Sequence, residues 1–115
     1  LGEYGFLEFF CPDPACDCRR VTLRVTTPDG RAWASISFGW EKARFYRRWA
    51  HDRDDAGEMA GASLDPLNHQ SEFAEWFLSL FREMVQTDRK YVERLKRHYR
   101  MFKHLPGEDI GCSGA

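Results

Sequence analysis

Apolar and polar residues alternate with a period of two over the first third of the chain, and apolar residues recur at helical spacing over the last. Val21, Leu23 and Val25 alternate with Thr22, Arg24 and Thr26, the pattern of a half-buried strand. Ala32, Ala34, Ile36 and Phe38 repeat it on one face, with Trp33, Ser35 and Ser37 on the other. Pro28-Asp29-Gly30 between them is turn chemistry: Pro presets φ, Asp bonds locally and Gly accepts positive φ. A four-residue loop, 28–31, predicts a hairpin that pairs Thr27 with Ala32, Val25 with Ala34, Leu23 with Ile36 and Val21 with Phe38. A slip of one residue would oppose the apolar set to the polar one and lose core burial. A short aromatic strand over 4–10, with Phe6 and Phe10 on one face, pairs with the second to give a three-stranded antiparallel meander.

The pattern then changes period. Phe45 and Trp49, four apart, predict a short helix over 41–50. Residues 51–70 have little periodicity, contain two glycines and Pro66, and read as a long acidic loop anchored by Met59, Leu64 and Leu67. Ser71 can cap a helix carrying Phe73, Trp76, Phe77, Leu80, Phe81, Met84 and Val85. Thr87 or Asp88 restarts the pattern for a last helix with Tyr91, Val92, Leu95, Tyr99 and Phe102, which Pro106-Gly107 stops. Residues 105–115 read as a flexible tail. These elements predict a single α+β domain over 1–115: an antiparallel meander with a loop rich in cysteine at one end, packed against C-terminal helices.

Length and composition narrow the function classes. A chain of 115 residues with 43% hydrophobic and 15% aromatic residues can bury a core without disulfides. A net charge of -1 excludes a uniformly basic surface that would coat nucleic acid or an anionic membrane. No run approaches 18 apolar residues. The chain begins at Leu1 with no basic-then-apolar leader, so it reads as trimmed, leaving a removed signal open.

Cys11, Cys16 and Cys18 place three thiols in eight residues, with Pro12 and Pro14 stiffening the loop between them. Soft thiolates at short spacing are the donor set zinc prefers, so the predicted cofactor is zinc. The C-x4-C-x-C spacing is less diagnostic than paired C-x2-C knuckles, and disulfides or unligated thiols are the alternatives. A three-plus-one clustering with Cys112 suits two bridges poorly. A closed site needs a fourth ligand, from Cys112, His51, His69, His98 or His104. His98, on the edge of the last apolar stripe, is the choice over Cys112, the alternative being a core-edge histidine bonded to a backbone carbonyl. An open fourth position would make a zinc hydrolase, with Asp13 or Asp17 as candidate bases, but shells rich in thiolate serve structure. No EF-hand spacing, phosphate loop or Ser-His-Asp set is present.

The charge is segregated. Residues 42–53 are mostly basic and 54–75 acidic, while the last helix carries Arg89, Lys90, Arg94, Lys96, Arg97, Arg100 and Lys103. The expected partner is a protein, with nucleic acid as the alternative through that helix and no membrane.

Cys11 to Arg20, Phe38-Gly39-Trp40, Phe45-Tyr46, Trp49, Leu64-Asp65-Pro66-Leu67 and the run from Tyr91 to Tyr99 together resemble a group of uncharacterised bacterial proteins. Some of these are associated with a SEC-C type zinc motif. The resemblance spans about 5–103 and implies a bacterial, cytoplasmic setting and metal-binding Cys11, Cys16 and Cys18. It implies no reaction. Gly111-Cys112-Ser113-Gly114-Ala115 does not complete a SEC-C motif, so the partner docking of that module does not carry over.

Overall fold

The computed structural model describes residues 3–50 and 54–104. The predicted tail, with Cys112, and His51 lie outside them. The fold is α+β. Strands β1 (Gly5–Phe9), β2 (Arg20–Thr26), β3 (Ala32–Gly39) and β4 (Gly61–Leu64) form one antiparallel sheet in sequence order. Helix α1 (Ala43–Trp49) and a 3-10 turn, Ala56–Met59, lie between β3 and β4, and α2 (Ala74–Thr87) and α3 (Arg89–His104) follow.

The alternation of β2 and β3 fixes the pairing where burial is at stake. Val25 faces Ala34, Leu23 faces Ile36 and Val21 faces Phe38, as the pattern predicts. The fourth pair differs: a bulge between Val25 and Thr26 sets Thr26, not Thr27, opposite Ala32. Thr27 instead closes the turn, accepting from the Gly30 amide and donating to the Arg31 carbonyl, while Gly30 sits at φ +88°. That end of the hairpin is outside the buried set, so nothing opposes the slip.

The sheet has four strands, not three. β4 lies inside the stretch read as loop, placing Leu64 opposite Ile36 and Ala62 opposite Phe38. Four residues with small side chains at Gly61, Ala62 and Ser63 are too short a pattern to declare a strand. Leu67, expected as an anchor, is 91% exposed. In α1 it is Tyr46, fully buried, that faces the core, while Phe45 is half-buried.

The main core joins Val21, Leu23, Val25, Ala34, Ile36 and Phe38 of the sheet to Phe77, Leu78 and Phe81 of α2 and to Tyr91 and Leu95 of α3. Ser71, expected as the cap of α2, lies two residues ahead of the N-cap position, which Phe73 holds without a side-chain bond, and its hydroxyl instead accepts from the Phe73 amide. Asp88 caps α3 through the Tyr91 amide at 3.1 Å. These contacts lay α3 across the sheet so that its C-terminal end reaches the cysteine loop.

Candidate metal centre

The loop between β1 and β2 is shaped before any thiol is considered. Cys16 N–H donates to the Asp13 carbonyl at 3.1 Å, closing a turn with Pro14 at its second position. The Asp13 carboxylate accepts from the Ala15 amide at 2.9 Å. Arg19 takes φ 49°, a positive value uncommon outside glycine, and so turns the chain from the loop into β2.

Two tyrosines hold that residue from opposite sides. The Tyr46 hydroxyl donates to the Arg19 carbonyl at 2.8 Å. The Tyr99 hydroxyl accepts from the Arg19 amide at 3.2 Å and faces Asp17 Oδ1 at 3.1 Å. Burial is the main cause that raises both phenols, Tyr46 to about 12, so both act as neutral hydroxyls. The Arg19 side chain lies 4.4 Å over the Phe45 ring and pairs with Asp17 at 2.9 Å and Glu41 at 3.3 Å. That guanidinium holds the Asp17 carboxyl below its ordinary range. Lys103, at the end of α3, donates to the Asp13 carbonyl at 2.6 Å.

Within this frame the Sγ atoms of Cys11, Cys16 and Cys18 all lie within 4.8 Å of one another. No disulfide joins them. Cys16 and Cys18 are buried and Cys11 half-buried, in a small cluster with Tyr99, Phe10, Trp40 and Trp49. Burial first, then the neighbouring Cys11 charge, pushes the Cys18 thiol up. The Arg20 amide, donating to its sulfur, works the other way, as does the Lys103 charge. The donor chemistry fits a soft divalent cation. Tetrahedral zinc with Zn–S of about 2.3 Å needs sulfurs about 3.8 Å apart, inside the spread observed. A bound cation also reverses the cost of crowding three thiols in a buried site, since it favours the thiolate.

Of the four ligands expected from sequence, the structure therefore brings three together. His98 is placed elsewhere: its Nδ1 lies 2.7 Å from Glu8 Oε1 on β1, and its ring is not among the grouped donors. The helical pattern rightly turns His98 toward the body of the protein. It does not say which strand lies beneath, and the group met there is a carboxylate. His69 and His104 are exposed and also outside the group.

A hollow of about 320 Å³ borders Cys11 and Cys18 on the outer face of the sheet, lined also by Phe9, Phe10, Arg20 and Thr22. Arg20 is held there by the Met59 carbonyl and the Ser37 hydroxyl. Neither Asp13 nor Asp17 lines it.

Sequence reasoning did not find Tyr46, Tyr99 or Lys103 as supports of the loop. Tyr99 belonged to an apolar stripe, and nothing local marks a hydroxyl whose partners are about eighty positions away in the chain. Among the described residues, no helix is long and apolar enough to cross a membrane. Comparison with protein-family models, curated proteins and solved structures gives no match.

Proposed function

We propose that Cys11, Cys16 and Cys18 hold one zinc ion that fixes the β1–β2 loop, and that the domain is a macromolecule-interaction module rather than an enzyme. The convergence of three thiols within 4.8 Å in a loop held by Lys103 at Asp13 and by Tyr46 and Tyr99 at Arg19 carries this reading. Three thiolates and Zn²⁺ sum to -1, which Lys103 nearby offsets. Unbridged thiols suit a reducing compartment, in keeping with the bacterial cytoplasmic setting that the resemblance implies.

The hollow beside Cys11 and Cys18 supports the second reading, a hydrolase whose metal opens onto it. The structural role is preferred because, among the described residues, the hollow is lined by no carboxylate or histidine to move a proton, and the cation lining it, Arg20, is engaged with Ser37 and Met59.

The test is elemental analysis of protein purified without chelator. One zinc per chain is expected, lost in Cys16→Ser and retained in His98→Ala. Zinc-free protein that also fails to take up added zinc overturns the reading.

A further inference from the structure

We propose that the solvent face of α3, together with the aromatic hollow at its C-terminal end, binds single-stranded nucleic acid. The helix carries seven Lys and Arg against one Glu, +6, on a chain of net charge -1, so the remainder carries -7. Tyr91, Leu95 and Tyr99 are its buried stripe, which leaves Arg89, Lys90, Arg94, Arg97 and Arg100 exposed.

These cations are not neutralised by their neighbours. Among the described residues, Lys96 pairs with Glu93 at 3.5 Å and Arg94 lies 5.1 Å from the centre of the Tyr91 ring. Arg89, Lys90, Arg97 and Arg100 make no ion pair there. Glu93, the one acidic residue of the helix, lies three or four residues from Arg89, Lys90, Lys96 and Arg97, while Lys90 and Arg94, then Arg94 and Arg97, set like charges at those spacings. The buried stripe holds this repulsive array in place, and a polyanion relieves it.

Arg89, Lys90, Arg94 and Arg97 line a depression of about 660 Å³ together with Asp88 and Glu93, four cations against two carboxylates. One turn beyond Arg97, Met101 opens a second hollow of about 390 Å³, lined also by Glu8, Phe9, Phe10, His98 and Phe102. Phe9 is 45% and Phe102 38% exposed. Cations that follow a phosphate backbone beside partly exposed aromatic rings are the arrangement that single strands require, and Arg24, 4.9 Å from the centre of the Phe9 ring, adds a further cation at that ring. A duplex fits less well: the major groove admits a whole helix, and α3 is half sunk against the sheet.

None of these groups is a thiol, so the proposal stands or falls apart from the zinc reading, and zinc content is measured on the same samples. The test is fluorescence anisotropy with a labelled oligothymidylate of about twelve nucleotides. Binding is expected, weakening ten-fold or more between about 50 and 200 mM salt. The variant with Arg94→Glu and Arg97→Glu should lose at least about ten-fold, and Phe9→Ala at least about five-fold, with unchanged circular dichroism. The duplex of the same length should bind more weakly. Absence of binding at low salt overturns the proposal. So does equal binding to heparin, duplex or anionic vesicles with no effect of Phe9→Ala, which marks a surface that reads charge alone.

Discussion

Arg19 and Tyr91 show how differently two buried polar arrangements are resolved. At Arg19 a positive φ is tolerated because the amide and carbonyl are both taken up by tyrosine hydroxyls. At Tyr91 the hydroxyl is buried with no hydrogen-bond partner among the described residues, and burial raises it to about 12. The same substitution at two tyrosines should therefore differ in outcome. Tyr99→Phe leaves the Arg19 amide without its acceptor and should cost about 1–3 kcal/mol. Tyr91→Phe removes an unpaired buried hydroxyl and should be neutral or stabilising by up to about 1 kcal/mol. Urea unfolding of both variants checks the contrast, and equal losses would refute it. At this scale the sequence identified the donors but not their supports. Cys11, Cys16 and Cys18 declare themselves by chemistry and spacing, whereas the Glu8 that meets His98 is ninety positions away.

Between elements, legibility followed burial. The β2–β3 register was readable over Val21, Leu23 and Val25 because both strands bury one face, and it failed at Thr26 where neither does. β4 was unreadable because only Ala62 and Leu64 of its four residues turn to the core, too short an alternation to stand out. Beyond β4, Gln70 continues this edge. Its Oε1 accepts from the Ser35 amide at 3.0 Å, and its Nε2 donates to the Ser35 carbonyl at 2.8 Å. One side-chain amide thus replaces a ladder partner for a residue only 3% exposed. Gln70→Ala should cost about 1–2 kcal/mol by stranding the Ser35 amide, while the Ser35 carbonyl keeps the Asp65 amide at 2.9 Å, and faster hydrogen exchange at the Ser35 amide should report it. Unchanged exchange there would show that this side chain is not what completes the edge.

For the molecule as a whole, the main core and the cysteine cluster are two groups of buried residues that meet at Phe10 and Trp40, which pack against both. The core joins the sheet to α2 and α3, whereas the cluster joins the loop to Tyr99, Phe10, Trp40 and Trp49. Removing a metal from the cluster should therefore loosen one end of the sheet only. After chelation, amides of 11–20 should exchange faster, while those of Leu23, Val25, Ala34 and Ile36 keep their protection. Loss of protection throughout would mean that the metal supports the entire fold. The near-zero net charge likewise divides, since α3 carries +6 and the remainder -7. The measurement that bears most directly on the metal site is zinc-edge X-ray absorption of the purified chain, paired with its intact mass. We predict one zinc whose first shell holds at least three sulfurs at about 2.3 Å. A first shell of oxygen and nitrogen alone, or a metal-free chain lighter by the hydrogens of its disulfides, would contradict it.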